Sequence, residues 1–91
     1  MSSKSERADA ARQFARALVA FCEETDEGLR RLAGQVEDMH DSNQLDDEDY
    51  AAYSPEFGDS MSNQRRVLAE FSEDQANRLQ AMASKIEEAG Y

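Results

Sequence analysis

Apolar residues recur along the first half of the chain every three or four positions. This spacing places side chains on one face of an α-helix, so it predicts a long helix that packs against another helix. The only polar member of the stripe is Thr25. The stripe consists of Ala11, Ala15, Leu18, Cys22, Thr25, Leu29, Leu32, Val36 and Met39.

A second stripe with helical spacing occupies the last third of the chain. Its apolar members are Met61, Leu68, Phe71, Leu79, Met82, Ile86 and Ala89, and its polar breaks are Gln64 and Gln75. No strand pattern of useful length occurs between or within the stripes. The pattern therefore predicts an all-α fold, in which a second long helix folds back antiparallel to the first as a two-helix hairpin.

Local signals predict where the first helix begins and ends. Ser3 and Glu6 have the spacing of a capping box, which predicts a start near residue 4. The run His40-Asp41-Ser42-Asn43 favours a turn, so the helix is expected to end at about residue 40.

The second helix is expected to start at Ser54-Pro55-Glu56, because serine caps helices and proline suits the first helical position. It is expected to run from about residue 55 to about residue 89, where Gly90 ends it. Residues 41–54 then form a short acidic connecting segment, in which 45–53 could form a short helix. The whole chain, 1–91, is expected to be a single helical-hairpin domain.

Phe14 and Phe21 flank the first stripe and make its apolar face wider than a two-stranded seam needs. A lone hairpin would leave this face partly in water, and such patches usually mark association surfaces. We therefore expect two hairpins, identical or similar, to pair as a dimer into a four-helix bundle of coiled-coil type. The expected interface residues are Phe14, Leu18, Phe21, Leu29, Leu32, Leu68, Phe71, Leu79 and Met82.

Three small residues within the first helix need an explanation. Gly28 and Gly34 each cost about 1 kcal/mol relative to alanine, and close approach of a partner helix would explain them. Cys22 is the only cysteine. On an apolar seam it is expected to act as a small buried hydrophobe, and the alternative is a bridge between two copies.

The net charge of −10 is concentrated in the middle of the chain. Residues 21–59 carry thirteen acidic and two basic side chains. Nucleic-acid binding needs a basic surface, so no nucleic-acid partner is expected. The acidic segment instead suggests an alternative function, an inhibitor or nucleic-acid mimic that covers a basic site on a partner protein.

The chain has no apolar run of 18 residues, so no membrane insertion is expected. Charged residues, among them Arg7, Asp9 and Arg12, interrupt the N-terminal segment, which therefore lacks the apolar core of a signal peptide. The expected location is the cytoplasm, or outside the cell by a route without a cleaved signal peptide.

Catalytic motifs are missing from the sequence. There is no Gly-x-Ser-x-Gly and no glycine-rich phosphate loop, and a hairpin offers little concavity, so we expect neither an enzyme nor a cofactor. Glu37 and His40 have the Glu-x-x-His spacing of di-metal bundles, so they are candidate metal ligands if a second subunit completes the site. The competing interpretation is a solvated pair at the end of the first helix.

The layout resembles the small Trp-x-Gly helical hairpins exported by type VII secretion systems. The shared features are a length near one hundred residues, two long helices and no leader peptide. The chain has no tryptophan, and Phe57-Gly58 stands near the expected bend. A tyrosine followed four residues later by an acid is common in that family, but neither Tyr50 nor Tyr53 matches. The resemblance implies pairing into a four-helix bundle and export.

These observations together predict a non-enzymatic protein–protein interaction module that dimerises through amphipathic helix faces. A secreted hairpin, an adaptor and a chaperone-like partner are all consistent with that class.

Overall fold

The computed structural model describes residues 3–89, which form two long α-helices. Helix α1 spans Lys4–Asp41 and helix α2 spans Asp47–Glu88. Side chains early in α1 pair with side chains late in α2, as Arg12 does with Glu87, so the two helices are antiparallel. The expected all-α helical hairpin is thus confirmed. The expected helix end at Gly90 lies outside the described residues.

The internal contacts divide the hairpin into two compact units. The described part of unit 1 comprises residues 3–23 of the first half and 69–89 of the second. Unit 2 is the continuous segment 24–68, which includes the connection between the helices. Each unit therefore contains one portion of α1 packed against one portion of α2.

The start of α1 confirms the predicted cap. The Oγ atom of Ser3 accepts a hydrogen bond from the backbone N–H of Glu6 at 3.1 Å, and its carbonyl accepts one from the N–H of Arg7 at 3.0 Å. These bonds satisfy donors that the first turn of a helix leaves without an intrahelical partner. The Glu6 carboxylate also lies near the positive end of the helix dipole.

The end of α1 is a Schellman motif, and it confirms the predicted exit near residue 40. Asn43 has a left-handed backbone with φ 63°. Its N–H donates to the carbonyl of His40 at 3.1 Å, and the N–H of Gln44 donates to the carbonyl of Met39 at 2.8 Å. Asparagine accepts this conformation more readily than most residues, which is why the chain can reverse here.

The predicted start of the second helix at residue 55 is wrong, because α2 already begins at Asp47. The Oδ1 atom of Asp46 caps it by accepting the N–H of Asp49 at 2.7 Å. Three acidic residues in the first turn favour the positive end of the helix dipole. These local interactions prevail over the start signal at Ser54-Pro55-Glu56, so Pro55 lies inside α2. The connection shrinks from the expected 41–54 to 42–46.

The buried positions within the hairpin are occupied mainly by small side chains. In unit 1, Ala8 and Ala83 are 0 % exposed and form a cluster with Ala11, against which Ile86 packs. Ala15 and Cys22 are also buried in unit 1, whereas Met61 is the buried apolar residue of unit 2. Among the described residues no large side chain is fully buried. The helices of each unit thus meet along a seam that hides little apolar area.

Neither helix, over the part of the chain that the structure describes, has a stretch both long and apolar enough to span a bilayer.

Candidate functional site

Large apolar side chains lie on the outside of both units. Eight of them are 39 to 67 % exposed: Phe14, Phe21, Leu32, Met39, Tyr53, Val67, Phe71 and Met82. On α1 they follow one another at steps of seven, eleven and seven residues, and on α2 at steps of fourteen, four and eleven. Within each unit the steps are close to whole numbers of helical turns, so the exposed side chains of that unit form one line along its portion of each helix.

Each exposed side chain of this set comes directly before a buried or half-buried residue. The clearest cases are Phe14 before buried Ala15, Phe21 before buried Cys22, and Met82 before buried Ala83. One residue is a rotation of about 100° around the helix, so the exposed line lies about a quarter turn from the seam. Because the helices are right-handed and antiparallel, an equal offset on both places the side chains on the same side of the pair.

The four exposed residues of each unit therefore share a face. We call Phe14, Phe21, Phe71 and Met82 the unit 1 face, and Leu32, Met39, Tyr53 and Val67 the unit 2 face. In the latter, the ring of Tyr53 stacks on that of Phe57, with ring centroids 5.3 Å apart. Each face combines two side chains from α1 with two from α2.

Ion pairs join the helices on the other side of the seam. In unit 1, Arg12 and Glu87 each follow a seam residue directly, and the guanidinium of Arg12 donates a hydrogen bond to the Glu87 carboxylate. In unit 2, the guanidinium of Arg65 binds Asp26 in a bidentate manner, with Nε–Oδ1 2.7 Å and Nη2–Oδ2 3.2 Å. Each unit thus has a charged side and an apolar side.

The ion pairs shift the ionisation of their members. Hydrogen bonding to Arg65 lowers the pKa of Asp26, since the guanidinium stabilises the charged carboxylate. Arg12 lowers the pKa of Glu87 in the same way. The pKa values of both arginines are raised by their carboxylate partners. Both carboxylates therefore stay charged, and able to bind their arginines, to a lower pH than an isolated carboxylate does.

The candidate metal ligands Glu37 and His40 lie at the connected end of unit 2. Glu37 accepts a hydrogen bond from the hydroxyl of Tyr50, which raises the pKa of that tyrosine. The Nε2 atom of His40 lies 2.7 Å from Oδ1 of Asp47, and its ring stacks on Tyr50 with centroids 4.1 Å apart. These contacts fasten the last turn of α1 to the first turns of α2.

A metal site would need further ligands around this pair. Among residues 3–89, no group of three or more histidine, cysteine, aspartate and glutamate side chains is arranged to hold a metal ion. The partners of Glu37 and His40 come from the first turns of α2, which the sequence had assigned to the connection. The pairing with Tyr50 and Asp47 could therefore not be foreseen.

The nine expected interface residues fall into two groups in the structure. Five lie on the exposed faces: Phe14, Phe21, Leu32, Phe71 and Met82. The other four are half-buried along the seam: Leu18, Leu29, Leu68 and Leu79. Three other exposed apolar residues, Met39, Tyr53 and Val67, were not among the nine expected from the sequence. Val67 directly precedes Leu68 of the second stripe, and that position was the available signal; Met39 had been assigned to the first stripe and Tyr53 to the connection.

The small residues of α1 have different surroundings. Cys22 is a free, buried cysteine, as expected for a small hydrophobe on the seam. A Cβ atom added at Gly28 or Gly34 would meet no atom within 4 Å. The close approach that would explain these glycines is therefore not provided by the described residues of this chain.

Comparison of the chain with protein families, curated proteins and solved structures finds no match.

Proposed function

We propose that this protein is a non-enzymatic interaction module that pairs with a second helical hairpin through its unit 1 and unit 2 faces. The observation that carries the proposal is the distribution of apolar side chains. Alanine and cysteine fill much of the seam, whereas three of the four phenylalanines are on the exposed faces and two of these three are at least 60 % exposed. Burial of such rings is the main source of association energy in proteins.

The total exposed surface supports the need for a partner. The chain exposes 6902 Å², whereas a compact monomer of 10.2 kDa exposes about 5,300 Å². The excess is about 1,600 Å², and a stable interface hides about 800 Å² on each partner. Pairing through the two faces would thus remove about half of the excess.

Because each unit has one apolar side and one charged side, a four-helix bundle is favoured over a larger open assembly. The apolar side of each unit can pack on the apolar side of another helix pair, while the side with the Arg12–Glu87 and Arg65–Asp26 pairs stays in water. Charged pairs gain little from burial, because desolvation offsets their attraction. One layer of apolar side chains then closes between two hairpins.

The proposal is tested by sedimentation velocity on the wild type and on the double variant Phe14→Gln/Phe71→Gln. Glutamine keeps a high helix propensity but removes the rings, which are 60 and 50 % exposed. Each ring would bury on the order of 100 Å² in the interface, so the dissociation constant should rise by at least about a hundredfold.

A matched control changes exposed residues off the faces, Ala20→Gln/Asn77→Gln. It should sediment as the wild type does, and far-UV circular dichroism reports the helix content of every variant. A helical Phe14→Gln/Phe71→Gln variant that associates as tightly as the wild type would contradict the proposal.

A further inference from the structure

We infer that the partner hairpin is a second copy of this chain, and that the unit 1 face of each copy packs on the unit 2 face of the other. This inference rests on the proposed pairing and adds the identity and the register of the partner. It follows from the charges that accompany each face. The described part of unit 1 holds six basic and eight acidic side chains, whereas unit 2 holds four basic and twelve acidic ones.

Among the charged residues in line with the unit 1 face, those without an ion pair among the described residues are basic. Arg7 stands seven residues before Phe14, and Lys85 stands three residues after Met82, so both lie at the margin of the apolar line. Both side chains are exposed, and neither has an ion pair among the described residues. Arg78 and Asp74 also lie on this line, between the two α2 residues of the face, and they form an ion pair with each other at 3.0 Å.

The charged residues in line with the unit 2 face are acidic. Asp49 stands four residues before Tyr53, and Glu56 stands three residues after it. Both side chains are exposed and without an ion pair among residues 3–89. The backbone N–H of Asp49 is bound by the Asp46 cap, which leaves its own carboxylate available.

Charge complementarity then selects the register. If like units met, Asp49 and Glu56 would face the same carboxylates of the second copy, and Arg7 and Lys85 would face the same cations. Like charges across an interface oppose association, and opposite charges favour it. Packing unit 1 on unit 2 matches basic with acidic, and two-fold symmetry repeats that contact, so each dimer contains it twice.

The test uses two charge-reversed variants of the full chain. Variant A carries Arg7→Glu/Lys85→Glu, and variant B carries Asp49→Lys/Glu56→Lys. In a homodimer of either variant both contacts join like charges, so each dissociation constant should rise at least about tenfold at about 50 mM salt. The rise should shrink to about threefold or less at about 500 mM salt, where such charges are screened.

An equimolar mixture of variants A and B should recover association, because the reversed faces complement each other. The matched control, Glu48→Lys/Asp59→Lys, makes the same charge change as variant B away from the face. Glu48 shares the first turn of α2 with Asp49, so the control also reports the effect on the helix start. It should dimerise as the wild type does, within about threefold.

The two proposals fail in different ways. If the wild type dimerises but variants A and B do so equally well at low salt, the register is wrong while the proposed pairing stands. If the A and B mixture associates more tightly than the wild type, like units meet in the native dimer, and the inference is again overturned. A wild type that stays monomeric at all accessible concentrations would contradict the proposed function itself.

Discussion

Pro55 offers a sharp test of where α2 begins. It is the ninth residue of the helix, where the backbone N–H of an ordinary residue would donate to the carbonyl of Ala51. Proline has no N–H to donate, and its ring crowds that carbonyl. Replacing Pro55 with alanine should therefore restore one hydrogen bond and relieve the crowding.

The size of the effect follows from two opposing contributions. An interior proline costs about 3 kcal/mol relative to alanine in a helix. Proline also restricts the unfolded chain, and losing that restriction costs up to about 1 kcal/mol. Pro55→Ala should therefore raise the free energy of unfolding by about 2 kcal/mol.

The assay is urea unfolding followed by far-UV circular dichroism at one fixed protein concentration, since association changes apparent stability. Gly58→Ala is the matched comparison, because it lies three residues later in α2 and an added Cβ meets nothing within 4 Å. It should raise stability by about 1 kcal/mol whether the helix begins at residue 47 or 55. If Gly58→Ala stabilises and Pro55→Ala does not, then the helix starts at Pro55 and the assignment of 47–54 to α2 is refuted.

Two further predictions concern α1. Gly28→Ala and Gly34→Ala should each raise the midpoint of thermal unfolding, by about 1 kcal/mol in stability, since both sites have open space within the chain. Gly28 lies beside the unit 2 face and Gly34 does not, so only Gly28→Ala should weaken dimerisation in sedimentation equilibrium. Equal effects of the two substitutions on dimerisation would contradict the assignment of the unit 2 face to the interface. Because Arg65 lowers the pKa of Asp26, the stability from this ion pair is present above 3.8, the ordinary pKa of aspartate, and is lost as pH falls through the lowered value. Asp26→Asn should therefore make the urea midpoint less sensitive to acid, and an unchanged acid sensitivity would show that the pair contributes nothing.

Residue spacing was enough to predict the helices, because each stripe extends over many turns of one helix. Capping chemistry at Ser3 and the turn residues up to Asn43 likewise predicted both ends of α1. At the start of α2 two local signals competed. The Asp46 cap with its acidic first turn prevailed over Pro55, and the outcome could not be determined from propensities alone.

Other features depend on how the helices are aligned and so were not visible in the sequence. The Arg12–Glu87 and Asp26–Arg65 pairs join residues 75 and 39 positions apart. Each stripe in the sequence combined residues of the seam with exposed residues such as Leu32. The two kinds of residue lie next to each other on the helix surface, so their spacing alone did not separate them. Metal binding by Glu37 and His40, inhibition by the acidic segment, and type VII export stay predictions from the sequence.

The central claim is that a second molecule covers the unit 1 and unit 2 faces. Multi-angle light scattering of the wild type on a size-exclusion column, at about 10 μM protein and moderate salt, measures this directly. We expect a molar mass twice the 10.2 kDa of one chain, which falls towards 10.2 kDa on dilution. A constant 10.2 kDa for a fully helical chain at every concentration would contradict the account.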